Sequence, residues 1–250
     1  MIYRGKIKEI LFEFSPAEGE NRGIIIICDG LPSVPKQKEL ISYFSSNGFF
    51  TVFPRYRGIW ESEGEFLKES PIKDIEEIID FIKNNKIIEL HDNNEFDARN
   101  QNFYLLGSSF GGTVALSLID NKNISKIIAL SPIVDIKDHN KEKGEQDLFW
   151  LGGFIRRAFG QGYRFSERNW KKMSSGDLFN PPQEIAPEKA KNILIIYDKS
   201  DSATDYKKIE KYSLRNNIKT IELKKIGHVS FSKLSKEILN KIVNFLQGLS

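Results

Sequence analysis

The stretch Asn102-Phe103-Tyr104-Leu105-Leu106-Gly107-Ser108-Ser109-Phe110-Gly111-Gly112-Thr113-Val114-Ala115-Leu116 decides how this chain folds. Its first five residues are a short apolar and aromatic run, which reads as a buried strand. Residues 112–119 read as a helix with an apolar face. Between the two, Gly107-Ser108-Ser109-Phe110-Gly111 fills the pattern G-x-S-x-G at a strand-to-helix junction. A serine held there sits on strained backbone, and a glycine two residues to either side lets strand and helix approach. Its hydroxyl would stand at a helix N-terminus, where backbone N–H groups favour developing negative charge. The plain alternative is a Gly/Ser-rich connection in an ordinary strand–helix protein.

Outward from this junction the chain alternates strand with helix. Upstream, residues 7–14 read as an antiparallel strand ending at Ser15-Pro16, and Gly23-Ile24-Ile25-Ile26-Ile27-Cys28 as a strand covered on both faces. A helix is expected over 36–46 and a strand over 50–53. Pro71 opens a helix whose Ile72, Ile75, Ile78, Ile79 and Ile82 recur at helical spacing. Downstream come strands at 126–130 and 193–197, a helix at 205–215, a strand at 220–223 and a last helix over 233–246. This order predicts an α/β fold, a doubly wound and mostly parallel sheet, in one domain spanning residues 1–250.

One segment breaks the rhythm. About sixty residues separate Leu130 from Ile193, far more than one strand–helix unit needs. They carry Phe149, Trp150, Phe154, Phe159, Tyr163, Phe165, Trp170 and Phe179, too many aromatics for a solvated loop. We expect a lid insertion over 137–190, with a short amphipathic helix over 147–159 and with Trp150 and Phe154 forming an apolar substrate pocket. Packing of a bulky excursion onto the domain would use the same residues.

Bulk properties narrow the partners. Thirty-seven Lys and Arg against 34 Asp and Glu leave a net +3 spread along the chain, unlike the concentrated basic face of a nucleic-acid-binding domain. The single cysteine, Cys28, allows no internal disulfide, and the N-terminal residues lack the apolar stretch of a signal peptide. No apolar run approaches the roughly 18 residues of a membrane span. A cytoplasmic location, no nucleic-acid partner and no membrane span are therefore expected. Three scattered histidines and one cysteine give no ligand cluster of zinc-site spacing, so neither metal nor organic cofactor is expected.

Two further residues complete a chemistry with Ser109. An acid belongs at the C-terminal end of a later strand, where ligand chemistry gathers in such sheets. Asp201 follows the 193–197 strand with enough reach to return toward the serine. Asp198 reads as a turn residue, Asp205 as a helix cap, and Asp135 is the rival from the preceding strand end. His228, in Lys225-Ile226-Gly227-His228 after the last strand, is placed to deliver its imidazole to the same edge. His91 and His139 occupy no strand end facing Ser109. Ser109, Asp201 and His228 then stand in the chain order nucleophile, acid, base. The backbone N–H groups of Phe110 and Leu31 are the natural donors to an oxyanion.

These residues resemble the α/β-hydrolase superfamily over essentially the whole chain, above all small serine esterases and the catalytic domains of prolyl-oligopeptidase-type aminopeptidases. Asp29-Gly30 stands where such proteins commonly have His-Gly, and Tyr56-Arg57-Gly58 with Ser62-Glu63-Gly64 resembles their element beside the oxyanion loop. The insert after Ser131-Pro132 is placed like the small lid of cinnamoyl-ester hydrolases. The resemblance implies a serine hydrolase acting on a small-molecule ester or short peptide substrate through an acyl-enzyme. An aminopeptidase would use Glu61, Glu63 or Glu65 to bind a substrate amine. A binding protein on the same scaffold would make Asp29 the mark of lost chemistry.

Overall fold

The computed structural model describes residues 1–139 and 145–249. Its frame is an eight-stranded sheet. In chain order the strands are β1 (Tyr3–Ile7), β2 (Ile10–Ser15), β3 (Ile24–Cys28), β4 (Phe50–Pro54), β7 (Phe103–Ser108), β8 (Ile124–Leu130), β9 (Ile193–Asp198) and β10 (Lys219–Leu223), and the two-residue strands β5 (Ile87–Ile88) and β6 (Glu95–Phe96) pair apart as a hairpin. The sheet order is β1-β2-β4-β3-β7-β8-β9-β10, parallel from β4 to β10 and antiparallel at the β1–β2 edge. The expected α/β architecture is what the chain adopts.

Both faces of the sheet are covered, which explains the unbroken isoleucine run of β3. Ile24 and Ile26 point into one cluster and Ile25 and Ile27 into the other. The first cluster holds Ile75, Ile78 and Ile82 of α2 (Pro71–Asn84), Val114 of α3 (Phe110–Leu116), and Ile209 and Tyr212 of α7 (Tyr206–Asn216). The second holds Leu40, Ile41 and Phe44 of α1 (Lys38–Ser46) and Leu239, Ile242 and Leu246 of α8 (Lys236–Gln247). A strand buried on both faces cannot alternate in sequence, because every side chain meets apolar neighbours. Ser70 caps α2 by accepting from the Ile72 N–H at 3.3 Å, with Pro71 at the first helical position.

The sequence predicts one strand over residues 7–14; the chain instead turns at Lys8, whose φ is +48°, and makes the hairpin β1–β2. The excursion between β8 and β9 contains α4 (Leu148–Phe159), α5 (Glu167–Ser174) and α6 (Pro187–Ala190). Asp147 caps α4, accepting from the N–H groups of Phe149 at 2.7 Å and Trp150 at 3.2 Å. Among the described residues no helix is long and apolar enough to cross a membrane.

Candidate active site

Ser109 occupies a sharp elbow between β7 and α3, with φ +51° and ψ −121°. A non-glycine residue in that region is strained, and such strain persists only where packing enforces it. The enforcement is visible on both sides. A Cβ on Gly107 would lie 2.1 Å from the carbonyl oxygen of Gly111, and one on Gly111 would lie 2.0 Å from that of Cys28. The elbow can therefore press against β3 only with glycine at both positions. Ser109 N–H donates to Leu130 O at 2.7 Å, tying the elbow to β8.

Ser109 lines a cleft of about 710 Å³ together with Gly30, Leu31, Gln146, Ala203 and His228. The imidazole reaches it from the turn after β10, its side chain 28% exposed, and its Nδ1 lies 2.8 Å from Asp201 Oδ2. Asp201 is all but fully buried and also accepts from the N–H groups of Ala203 (2.8 Å) and Thr204 (3.2 Å) and from the Thr204 hydroxyl (3.1 Å). Burial alone would raise its pKa, but the His228 contact and these donors outweigh it and hold the carboxyl below its ordinary value. Among the described residues Ser109 Oγ has no hydrogen-bond partner.

The other acids weighed from sequence have different work. Asp205 caps α7 through Lys207 N–H at 2.9 Å. Asp135 accepts from Lys137 N–H at 3.0 Å and Asn180 Nδ2 at 2.9 Å. Asp198 does more than make a turn. Its Oδ2 accepts from the N–H groups of Ile226 (2.7 Å) and Gly227 (3.3 Å), and its Oδ1 from Ser200 N–H (2.7 Å) and Oγ (2.6 Å). It thereby straps down the turn that carries His228, a role that a turn-residue reading misses. Burial pushes its pKa up, but these donors prevail and keep the carboxyl ionised below its ordinary range.

Leu31 and Phe110 line a second, small pocket together with Ser109, and neither N–H meets a protein acceptor among the described residues. About 20 Å³ of free space remains there, room for about one water, between Ile133, Ile136, Leu148, Leu151, Trp170 and Met173. Here one reading from sequence needs correction. Trp150 and Phe154 do not line either cavity; they stack on each other at 5.2 Å, Trp150 54% exposed and Phe154 partly buried against the core. The inward stripe of α4 is Leu148, Leu151, Gly152 and Ile155, at the spacing of one helical face. His139, which stands at no strand end, also lines this pocket. Its Nε2 contacts Gln146 O at 2.9 Å and its Nδ1 lies 3.4 Å from Glu145, and burial lowers its pKa. His91 is exposed.

Asp29 is buried beside this site. Its Oδ1 accepts from Gly30 N–H at 3.0 Å and from Gln37 Nε2 at 3.3 Å, and burial pushes its carboxyl up to about 6 against those donors. The neighbouring Cys28 thiol is pushed up to about 12 by burial, which keeps it protonated and unreactive. The glutamates considered for amine binding are engaged elsewhere. Glu61 pairs with Arg55 at 2.8 Å, Glu63 with Lys6, and Glu65 accepts from Ser166 N–H at 2.9 Å and Asn169 Nδ2 at 2.8 Å. Among the described residues no group of His, Cys, Asp or Glu could hold a metal ion.

Solved structures share this architecture along their whole length. DcsB, determined with its substrate analogue, superposes with a TM-score of 0.71 at 17% identity, over 99% of this chain and 98% of that one. The α/β hydrolase GrgF from Penicillium sp. sh18 gives a TM-score of 0.64 at 15% identity, over 99% and 98%. Est1E from Butyrivibrio proteoclasticus, with ferulic acid bound, gives 0.65 at 15% identity, over 98% and 97%. Likeness at these identities establishes the fold. No curated protein matches the sequence. The profile of the X-Pro dipeptidyl-peptidase (S15) family matches residues 13–174, more than half of the chain, from β2 through the elbow to the end of α5. This chain belongs to the X-Pro dipeptidyl-peptidase (S15) family of α/β-hydrolases.

Proposed function

We propose that the chain is a serine hydrolase that cleaves a carboxylic ester through an acyl-enzyme on Ser109. The observation that carries this reading is the 2.8 Å contact of Asp201 with His228, whose imidazole lines the same cleft as Ser109. His228 accepts the Ser109 proton as Oγ attacks the substrate carbonyl, and Asp201 supports the resulting imidazolium. The N–H groups of Leu31 and Phe110 receive the oxyanion. The tetrahedral intermediate collapses when His228 returns the proton to the departing alcohol, and a water deacylates Ser109 by the same relay.

The pocket beside Ser109 has room for about one water, so even a short acyl group enters only if Leu151 or Met173 moves, and longer chains demand more movement. The lid role of the β8–β9 excursion is part of this reading, with Leu148, Leu151, Trp170 and Met173 as its contribution. The family match favours one second reading, a peptidase releasing a short N-terminal peptide from the same serine. Substrate, like the expected cytoplasmic setting, belongs to the proposal. Hydrolysis of p-nitrophenyl esters of graded length should be compared with that of X-Pro-p-nitroanilides. Faster turnover of acetyl and butyryl esters, lost in Ser109→Ala, supports the esterase reading. Preference for the anilides would replace it with the peptidase, and activity surviving in Ser109→Ala would remove the serine.

A further inference from the structure

Leu31 can serve an oxyanion only if residues 29–33 hold one conformation, and the side chain that fastens this loop from outside comes from 130 residues away. Ser33 N–H donates to Tyr163 Oη at 2.7 Å, and the same hydroxyl donates to Ser33 O at 2.9 Å. Trp60 Nε1 adds a second donor to Ser33 O at 3.0 Å. Both backbone groups of Ser33 are thus satisfied by one phenol. A loop that shifted would leave the buried Tyr163 hydroxyl and the half-buried Ser33 backbone unmet, so the contact favours a single backbone path.

Tyr163 is itself fixed by the Tyr56-Arg57-Gly58 turn. It bridges Ile59 in antiparallel fashion, while Arg164 N–H donates to Gly58 O at 2.8 Å and Trp60 N–H to Gly162 O at 2.8 Å. Gly58 has φ +75°, and a Cβ there would lie 2.0 Å from Phe66 N, so this turn exists only with glycine. The Tyr163 ring packs on Trp60, Phe159 and Phe66 at 6.0, 5.5 and 6.3 Å. Burial raises its pKa, which keeps the phenol protonated and able to donate.

We propose that Tyr163 is a positioning residue for hydrolysis at Ser109: its hydroxyl clamps Ser33 and so sets the Leu31 N–H where the oxyanion develops. The inference rests on the serine-hydrolase reading above. It gives the excursion a catalytic duty separate from covering the site.

Tyr163→Phe keeps the ring and removes the clamp. Turnover of p-nitrophenyl acetate should show kcat lowered by about tenfold or more, with KM within about twofold, since a donor aimed at the transition state is displaced while substrate binding is untouched. Inhibition by a trifluoromethyl ketone, which forms the oxyanion on the enzyme, should weaken by the same factor as kcat/KM. Trp60→Phe should give a smaller loss of the same kind, and it decides the matter if Tyr163→Phe does not fold. Phe96→Leu, which loosens packing against Tyr3 and Phe14 and touches neither Tyr163 nor Ser33, should lower Tm and leave kcat alone. Unchanged kcat and ketone affinity in a folded Tyr163→Phe enzyme, or in Trp60→Phe as its substitute, overturns the clamp. Fluorophosphonate labelling of the wild type separates the two claims: a wild type that labels while the variant matches it in rate sinks only the clamp, and one that fails to label sinks the serine-hydrolase reading beneath it.

Discussion

Asp29, two residues before Leu31, has its carboxyl raised from 3.8 to about 6 by burial, and its contribution to stability follows from that shift. The folded protein binds this proton more tightly than the unfolded chain does. The stabilisation is therefore fully present below about pH 4 and is lost as pH rises through 6, a change on the order of 3 kcal/mol. Asparagine keeps an acceptor for Gly30 N–H and never ionises. Asp29→Asn should thus gain in Tm relative to the wild type between pH 4 and pH 7.5, and a Tm difference independent of pH would show that Asp29 is not penalised by ionising. At this scale the elbow is legible in the sequence, because Gly107 and Gly111 are demanded by backbone contacts of 2.1 and 2.0 Å that no other residue tolerates. His228 and Asp201 are legible from their places after strands. The duty of Asp198 is not, since two of its acceptor contacts run to Ile226 and Gly227, 28 and 29 residues away.

Helix α4 shows where side-chain size misleads. Trp150 and Phe154 stand out as its bulkiest residues, yet the buried stripe is Leu148, Leu151, Gly152 and Ile155. That stripe repeats at i, i+3, i+4 and i+7, a signal present in the sequence and outweighed by the pull of the aromatics. Gly152 belongs to it because Trp170 lies against it; a Cβ there would come within 2.5 Å of the indole nitrogen. The consequence for substrate choice is specific. Leu151→Ala opens the pocket beneath Ser109 and should raise kcat/KM for butyryl and hexanoyl esters relative to acetyl by about tenfold, the weight of one or two methylenes accommodated. Trp150→Ala, on the outer face, should leave the ratio unchanged. Equal effects of the two substitutions would mean that acyl length is read elsewhere.

Across the whole molecule, strand–helix alternation makes the parallel sheet readable, and the two-faced burial of β3 is the physical cause of its isoleucine run. The β1–β2 hairpin and the path of residues 145–192 are not readable, because each depends on a turn or a distant contact. Lys8 with φ +48° and Tyr163 on Ser33 are the two clearest cases. The sheet brings its strand ends to one edge, where β3 supplies Leu31, β7 supplies Ser109, β9 supplies Asp201 and β10 supplies His228. That convergence underlies the central claim, that Ser109 is the residue acylated during turnover with His228 as its base. The most direct measurement is to trap the protein with a fluorophosphonate and locate the adduct by peptide mass spectrometry. One adduct per chain is expected on Ser109, with labelling slowed at least about a thousandfold in His228→Asn, in line with the cost of losing a triad base. An adduct on Ser108 or another residue, or undiminished labelling of His228→Asn, would contradict it.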